Sequence, residues 1–325
     1  MRTRPDSPAA KFALTALLLA CAAPLCAQFS REHSKSDLID YIQGAGANPA
    51  CGVCLGAANK YLDDKEKDEI AKLTAGMAYI PTGRYKLGSP ATIGDPDEHP
   101  VEEIALDAFF IDKTEVSLKD YKQFTKATSA NQPEWDIPGG RFNLATGSKD
   151  YYKRLAPLIK TCPTCPVFGV KWDNANAYCL WKKRRLPTEA EWEAAARAGS
   201  DAPYPAGEVP TGAGEFAWIE DNSKNVPHPA GQKRPNKHGL YDMYGNMWEW
   251  VHDFYDKGYY AMRLNSNPDG PKTGKEHAIR GGSWSSDSFS ARPANRASSR
   301  DANDDIGFRC AVSESVLSEQ RPGGF

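Results

Sequence analysis

From Gly76 onward the chain is a succession of short apolar runs broken by Gly, Pro and Asn, and the period of each run names an element. Residues 77–81 and 83–88 read as two strands joined by a turn, and residues 100–107 alternate apolar and polar as a third strand. Residues 108–116 continue with buried strand character. Ser117 then opens a helix, with Asp120 as its capping-box partner and Leu118, Tyr121 and Phe124 on one side. Residues 126–160 are polar and Gly-rich and predict a long surface excursion. Order returns at residues 166–172, read as a strand, followed by a helix capped by Asp173. A further helix starts at Thr188, three residues before Glu191, and stops at Gly199. Residues 200–238 are loop-dominated, residues 278–284 and 306–310 are the last strands, and a loose tail follows Ser315. Helices and short strands mix without βαβ alternation and without an internal repeat, which predicts an α+β fold.

The densest stretch runs from Gly239 to Trp250. A Gly245-Asn246 pair supplies a turn that tolerates positive φ, and Met247, Trp248, Glu249 and Trp250 alternate as a strand. Asp242 and Glu249 flank that turn, where two carboxylates and intervening carbonyls suit a hard cation. The competing reading makes Trp248 and Trp250 ordinary core and Glu249 a solvated acid.

Composition narrows the classes further. With 325 residues, 40% hydrophobic content and a net charge of −2, the chain has a globular protein's core and no charge excess that names a partner. The one basic run, Lys182 to Arg185, follows a helix and suits its C-terminal dipole, so nucleic acid is not expected as a partner. Arg2, Arg4 and Lys11 precede an apolar run from Phe12 to about Ala23, too short to span a bilayer but built like a secretory signal. Residues 1–27 are therefore expected to be removed after Ala27, giving a periplasmic or secreted protein with no transmembrane segment. Lipoprotein anchoring at Cys21 is the disfavoured alternative, because Leu19 fits that pattern poorly. Cleavage would leave six of the eight cysteines: Cys51, Cys54, Cys162, Cys165, Cys179 and Cys310. An even number in an exported chain argues for disulfides, while two CxxC pairs leave a structural metal site or redox cycling open. Residues 28–72 form an extension with one CxxC and a charged, helix-spaced segment, too poor in apolar surface to fold alone.

The motifs beyond these resemble one family. Residues 107–116, 166–173, 177–181, 185–193, 239–250, 280–284 (Arg-Gly-Gly-Ser-Trp) and 307–310 (Gly-Phe-Arg-Cys) follow, in order, the pattern of the formylglycine-generating-enzyme, or sulfatase-modifying-factor, domain. The resemblance covers about residues 73–312 and leaves 313–325 as a tail. It implies a loop-rich, C-type-lectin-like α+β fold, commonly calcium-stabilised. It also implies Ca²⁺ on the side chains of Asp242 and Glu249 and the carbonyls of Gly245 and Met247. A second calcium site of the family is degraded, since Ala217-Trp218 stands where an Asn-containing segment is expected. Cys310 becomes a natural partner for Cys162 or Cys165, and Cys179 a buried free thiol.

The same resemblance breaks at the chemistry. Members that oxidise a substrate cysteine hold copper on two thiolates, which soft Cu(I) requires, and the corresponding positions here are Ser286 and Ala291. Trp248, Ser283 and Trp284 match the pocket, and Asp305 stands where Asn is usual. No other redox metal is named by the sequence. The histidines His33, His99, His228, His238, His252 and His277 lack the spacing of an iron site, although a branch acting in pyoverdine maturation shares the missing copper pair. The expected function is thus oxidation of a peptide or small natural product without the copper dithiolate. The alternative is a non-catalytic module whose lectin-like pocket holds a partner protein or glycan.

Overall fold

The computed structural model describes residues 64–129 and 131–315. The signal segment, Cys21, His33, the Cys51 and Cys54 pair and most of the tail lie outside the described residues. The chain divides into two compact units, Met1–Ala71 and Lys72–Phe325. The described part of the first is the start of helix α1 (Asp64–Leu73).

Three small sheets carry that second unit. Strands β1 (Met77–Ile80), β4 (Phe109–Asp112) and β9 (Ala311–Ser313) form one, with β4 central and antiparallel to both neighbours. Strands β2 (Gly83–Leu87) and β3 (Glu102–Leu106) pair with each other. Thus β1 and β2, expected as a joined pair, belong to different sheets. The link between them, Pro81-Thr82, lacks the Gly or Asn that a two-residue hairpin turn requires. The third sheet has the order β7-β6-β5-β8, from β5 (Trp248–Phe254), β6 (His277–Arg280), β7 (Arg296–Ser299) and β8 (Ile306–Phe308).

Several expected elements are shorter or different. The strand expected over 108–116 ends at Asp112, whose carboxylate leaves the ladder to pair with Arg184 and accept the Cys310 N–H. Residues 166–172 are not a strand: Pro166 makes an isolated bridge to Ser117, and Gly169, at φ +71°, ends the extension. Helix α2 (Leu118–Thr128) starts as expected, with Ser117 Oγ accepting from the Asp120 N–H. The 126–160 excursion buries Trp135, Tyr152 and Leu155 and leads into helix α3 (Ala156–Thr161). Helix α4 (Trp172–Trp181) has Lys171 at its N-cap position, without a side-chain cap, and Asp173 lies in the first turn, where an acid faces the positive end of the helix. Helix α5 (Glu189–Arg197) carries the Thr188–Glu191 capping box and ends at Ala198 and Gly199, both left-handed.

Two apolar clusters fill the unit. One joins Tyr121, Phe124, Phe168, Tyr178, Trp250 and Phe308, and the other packs Ile80, Phe109, Trp192, Met243 and Val251. The four-stranded sheet runs between them and fixes what meets at one of its ends. Because β5 and β8 are parallel while β6 is antiparallel to β5, the start of β5, the exit of β6 and the entry to β8 share that end. Trp248, Ser283 and Asp305 occupy those three places.

Candidate functional site

The loop leaving β6 is forced into its path by two glycines. Gly281 (φ +98°) sits where a Cβ would come within 3.1 Å of the Trp192 ring, and Gly282 (φ +76°) completes the turn that buries Ser283. Opposite it, Gly245 (φ +70°) passes so near the Trp218 carbonyl that a Cβ would lie 2.1 Å from that oxygen. Gly245 N–H donates to the Gly281 carbonyl at 2.8 Å, tying the two turns together.

Ser283 Oγ then lies 3.0 Å from Asp305 Oδ2, 3.0 Å from Ser285 Oγ and 3.3 Å from Ser286 Oγ. Ser285 Oγ reaches the same Asp305 oxygen at 3.3 Å. Ser286 Oγ accepts from the Ser283 N–H at 2.9 Å, so this position holds the turn with oxygen instead of offering sulfur. Ala291 is buried and contributes only a methyl. Trp248, half-buried, is joined to the group by its N–H on the Asp305 carbonyl at 2.9 Å. Burial raises the Asp305 carboxyl above its ordinary range, the Ser283 hydrogen bond opposes that, and neighbouring Asp304 adds to it.

A second wall comes from the excursion, and sequence reading missed it. Arg154 Nη2 pairs with Asp304 Oδ2 at 2.8 Å while its guanidinium covers the Trp284 ring at 4.3 Å. Tyr151 OH donates to Asp304 Oδ1 at 2.9 Å. Trp284 is thus buried beneath Arg154, with an indole N–H that has no partner. The signal that could have found this wall was the aromatic pair Tyr151-Tyr152 inside an otherwise polar excursion.

The carboxylates expected to hold calcium are placed differently from one another. Glu249 is fully buried, and both its oxygens are taken: Arg309 donates to each at 2.7 Å, and Trp192 Nε1 adds a bond at 2.8 Å. Asp242 Oδ2 accepts the Gly231 N–H at 2.7 Å, whereas its Oδ1 is buried without a partner. Glu115 repeats that arrangement, with Oε1 on Asn246 Nδ2 at 2.9 Å and Oε2 buried and unpartnered. Burial pushes Asp242 up to about 6 against the Gly231 and Arg309 interactions, and burial with Asp242 and Glu249 raises Glu115 well above its ordinary value. An orphaned, buried carboxylate oxygen is what a hard cation satisfies, so the expected donor set fits at Asp242 and not at Glu249. Among the described residues no three of His, Cys, Asp or Glu converge on one metal position. At the segment expected to be a degraded second site, Trp218 is stacked on His228 at 3.7 Å and covered by the Lys233 ammonium at 3.9 Å.

The cysteines correct two expectations. Cys162 is bonded to Cys165, and Cys310 is bonded to Cys179, so Cys179 is not a free thiol and Cys310 does not reach the CxxC turn. Cys179 faces the core from α4 and meets the chain just beyond β8. Sequence spacing carried no signal for that approach, since the two are 131 residues apart. All four described cysteines are therefore in disulfides, and neither pair involves the loop bearing Ser286.

The sulfatase-modifying factor enzyme 1-like domain matches residues 63–314 of this chain. A formylglycine-generating enzyme of Streptomyces coelicolor is 32% identical over 290 residues, covering 73% of this chain and 89% of that protein. A protein of Chlamydia caviae named serine/threonine-protein kinase pkn1 is 33% identical over 264 residues and 78% of this chain, which spans only 40% of that relative's length. The solved structure of PvdO from Pseudomonas aeruginosa superposes with a TM-score of 0.59 at 26% identity, covering 73% of this chain and 94% of that one. With its C-type-lectin-like architecture and its ordered motifs, the chain belongs to the formylglycine-generating-enzyme, or sulfatase-modifying-factor, domain family.

Proposed function

We propose that this is an exported, periplasmic or secreted, member of the family that binds a peptide or small natural product at the site built on Ser283 and Asp305. The observation that carries the reading is the replacement of two soft ligands by a hydroxyl and a methyl. Ser286 Oγ is committed to the Ser283 N–H, and Ala291 is packed away. Serine hydroxyls and a carboxylate orient a ligand by hydrogen bonding and accept its protons, but they do not hold Cu(I). Trp248 and the wall formed by Tyr151 and Arg154 add apolar and cationic surface beside them.

A second reading, oxidation of that bound molecule by a redox ion of undetermined kind, draws on the retained Trp248 and Ser283. It requires a ligand set that the residues around Ser286 do not supply. Calcium has a separate, structural role in this account, held by Asp242 with the carbonyls of Gly245 and Met247, where it would offset a buried carboxylate charge. Glu249 would join only by yielding an oxygen now bonded to Arg309.

The binding reading is tested by passing a defined mixture of peptides and oligosaccharides over the immobilised full chain and identifying the retained components by mass. Retention that disappears in Trp248→Ala and Ser283→Ala supports it. Retention unchanged by both substitutions places binding elsewhere and contradicts it.

A further inference from the structure

We infer that Asp305 selects a ligand carrying a primary ammonium group, and that it is the specificity-determining residue of the site; the inference rests on the binding reading above. Two adjacent acids enter β8, and Arg154 is spent on the first: Asp304 takes its guanidinium at 2.8 Å and the Tyr151 hydroxyl at 2.9 Å. Among the described residues the side chains that donate to Asp305 are the neutral Ser283 and Ser285 hydroxyls, both on its Oδ2, and its own backbone N–H adds a further neutral contact. The like charge of neighbouring Asp304 acts on its carboxyl and raises it.

A half-buried carboxylate with neutral partners on one oxygen has acceptor capacity left on the other, and a positive group fills it best. The surroundings favour an ammonium over a bulkier cation. Ser285 is exposed and presents an oxygen 3.3 Å from the carboxylate, so a compact three-donor head can bridge carboxylate and hydroxyl together. Tyr151, 46% exposed, provides a ring face on which the methylenes beside such a head can lie.

The test uses N-terminally acetylated pentapeptides with random flanks whose central residue is lysine, ornithine, Nε-acetyllysine, norleucine or glutamate. Retention on the immobilised full chain is read by mass, for the native protein and for Asp305→Asn, which keeps the shape and removes the charge. The native protein is expected to retain the lysine and ornithine peptides about tenfold or more over acetyllysine, the scale of one charged hydrogen bond. In Asp305→Asn that ratio should fall to about one, because retention of the lysine and ornithine peptides drops to that of the acetyllysine peptide. Equal retention of charged and neutral peptides by the native protein, or a preference that survives in Asp305→Asn, overturns the inference and leaves the binding reading standing. Retention of no peptide by either protein overturns both. An unchanged thermal midpoint in Asp305→Asn shows that a lost preference is not a loss of fold.

Discussion

Arg309 and Glu249 form a two-pronged ion pair in the fully buried centre of the second unit, with both N–H···O contacts at 2.7 Å. The pair closes the parallel contact between β5 and β8, and the same guanidinium also donates to the Asp112 and Tyr241 carbonyls, which draws the β4 sheet to it. Removing one partner leaves the other charged and buried. Arg309→Met is therefore expected to destabilise the fold by about 3–5 kcal/mol, read as a fall in the urea midpoint. A change under about 1 kcal/mol would show that the pair contributes nothing beyond its replacement.

The two disulfides differ in the length of chain they constrain. Chain-entropy arguments assign about 5 kcal/mol to closing a loop the size of the Cys179–Cys310 one and about 2 kcal/mol to the four-residue turn of Cys162 and Cys165. The Cys179→Ala/Cys310→Ala double variant should thus melt well below the Cys162→Ala/Cys165→Ala one in thermal scans. Equal losses would mean that the short bridge acts through the native contacts its turn makes with Leu118, Lys119 and Ala230.

Acid stability should follow Glu193. Burial alone would raise its carboxyl, but Arg197, Arg280 and Arg263 outweigh that and bring it down to about 2. Its folded value lies below its unfolded one, so its contribution is present above pH of about 4.5 and is lost as pH falls through about 2. The shift corresponds to about 3 kcal/mol. Urea unfolding at successive pH values should show this loss in the native chain and a much smaller one in Glu193→Gln. An identical acid profile in that variant would remove Glu193 from the account.

Calcium should raise the melting temperature of chelator-treated protein, because a cation offsets the unpartnered oxygen of Asp242. Titration calorimetry should find that Asp242→Asn abolishes the binding. In chelator the same variant should be at least as stable as the native chain, since it removes a buried charge. Calcium uptake unaffected by Asp242→Asn would place the ion elsewhere.

The fold was legible where local chemistry decides it. Ser117 and Thr188 cap their helices because each side chain meets an N–H three residues on, a relation written within four residues of sequence. Of the residues expected to line a pocket, Ser283 and Asp305 meet through a side-chain hydrogen bond, and Trp248 joins them through its backbone N–H. What failed depended on distant partners. The strand expected at 166–172 gave way to a turn at Gly169, whose N–H bonds the Asn303 carbonyl, and β7 was missed because Arg-Ala-Ser-Ser has no apolar alternation. Glu249 looked like either a solvated acid or a calcium ligand, and only the position of Arg309, sixty residues on, shows it as half of an ion pair. The Cys179–Cys310 bond and the wall of Tyr151 and Arg154 were hidden for the same reason.

Replacement of a copper-binding thiolate pair by the Ser286 hydroxyl and the Ala291 methyl removes the ligand set that Cu(I) needs. This loss is tested most directly by incubating the purified full chain with a cysteine-containing sulfatase peptide, copper and oxygen and following the peptide by mass. The peptide cysteine is expected to stay unconverted, with no aldehyde product above a protein-free control. Catalytic turnover of that cysteine to formylglycine would contradict it.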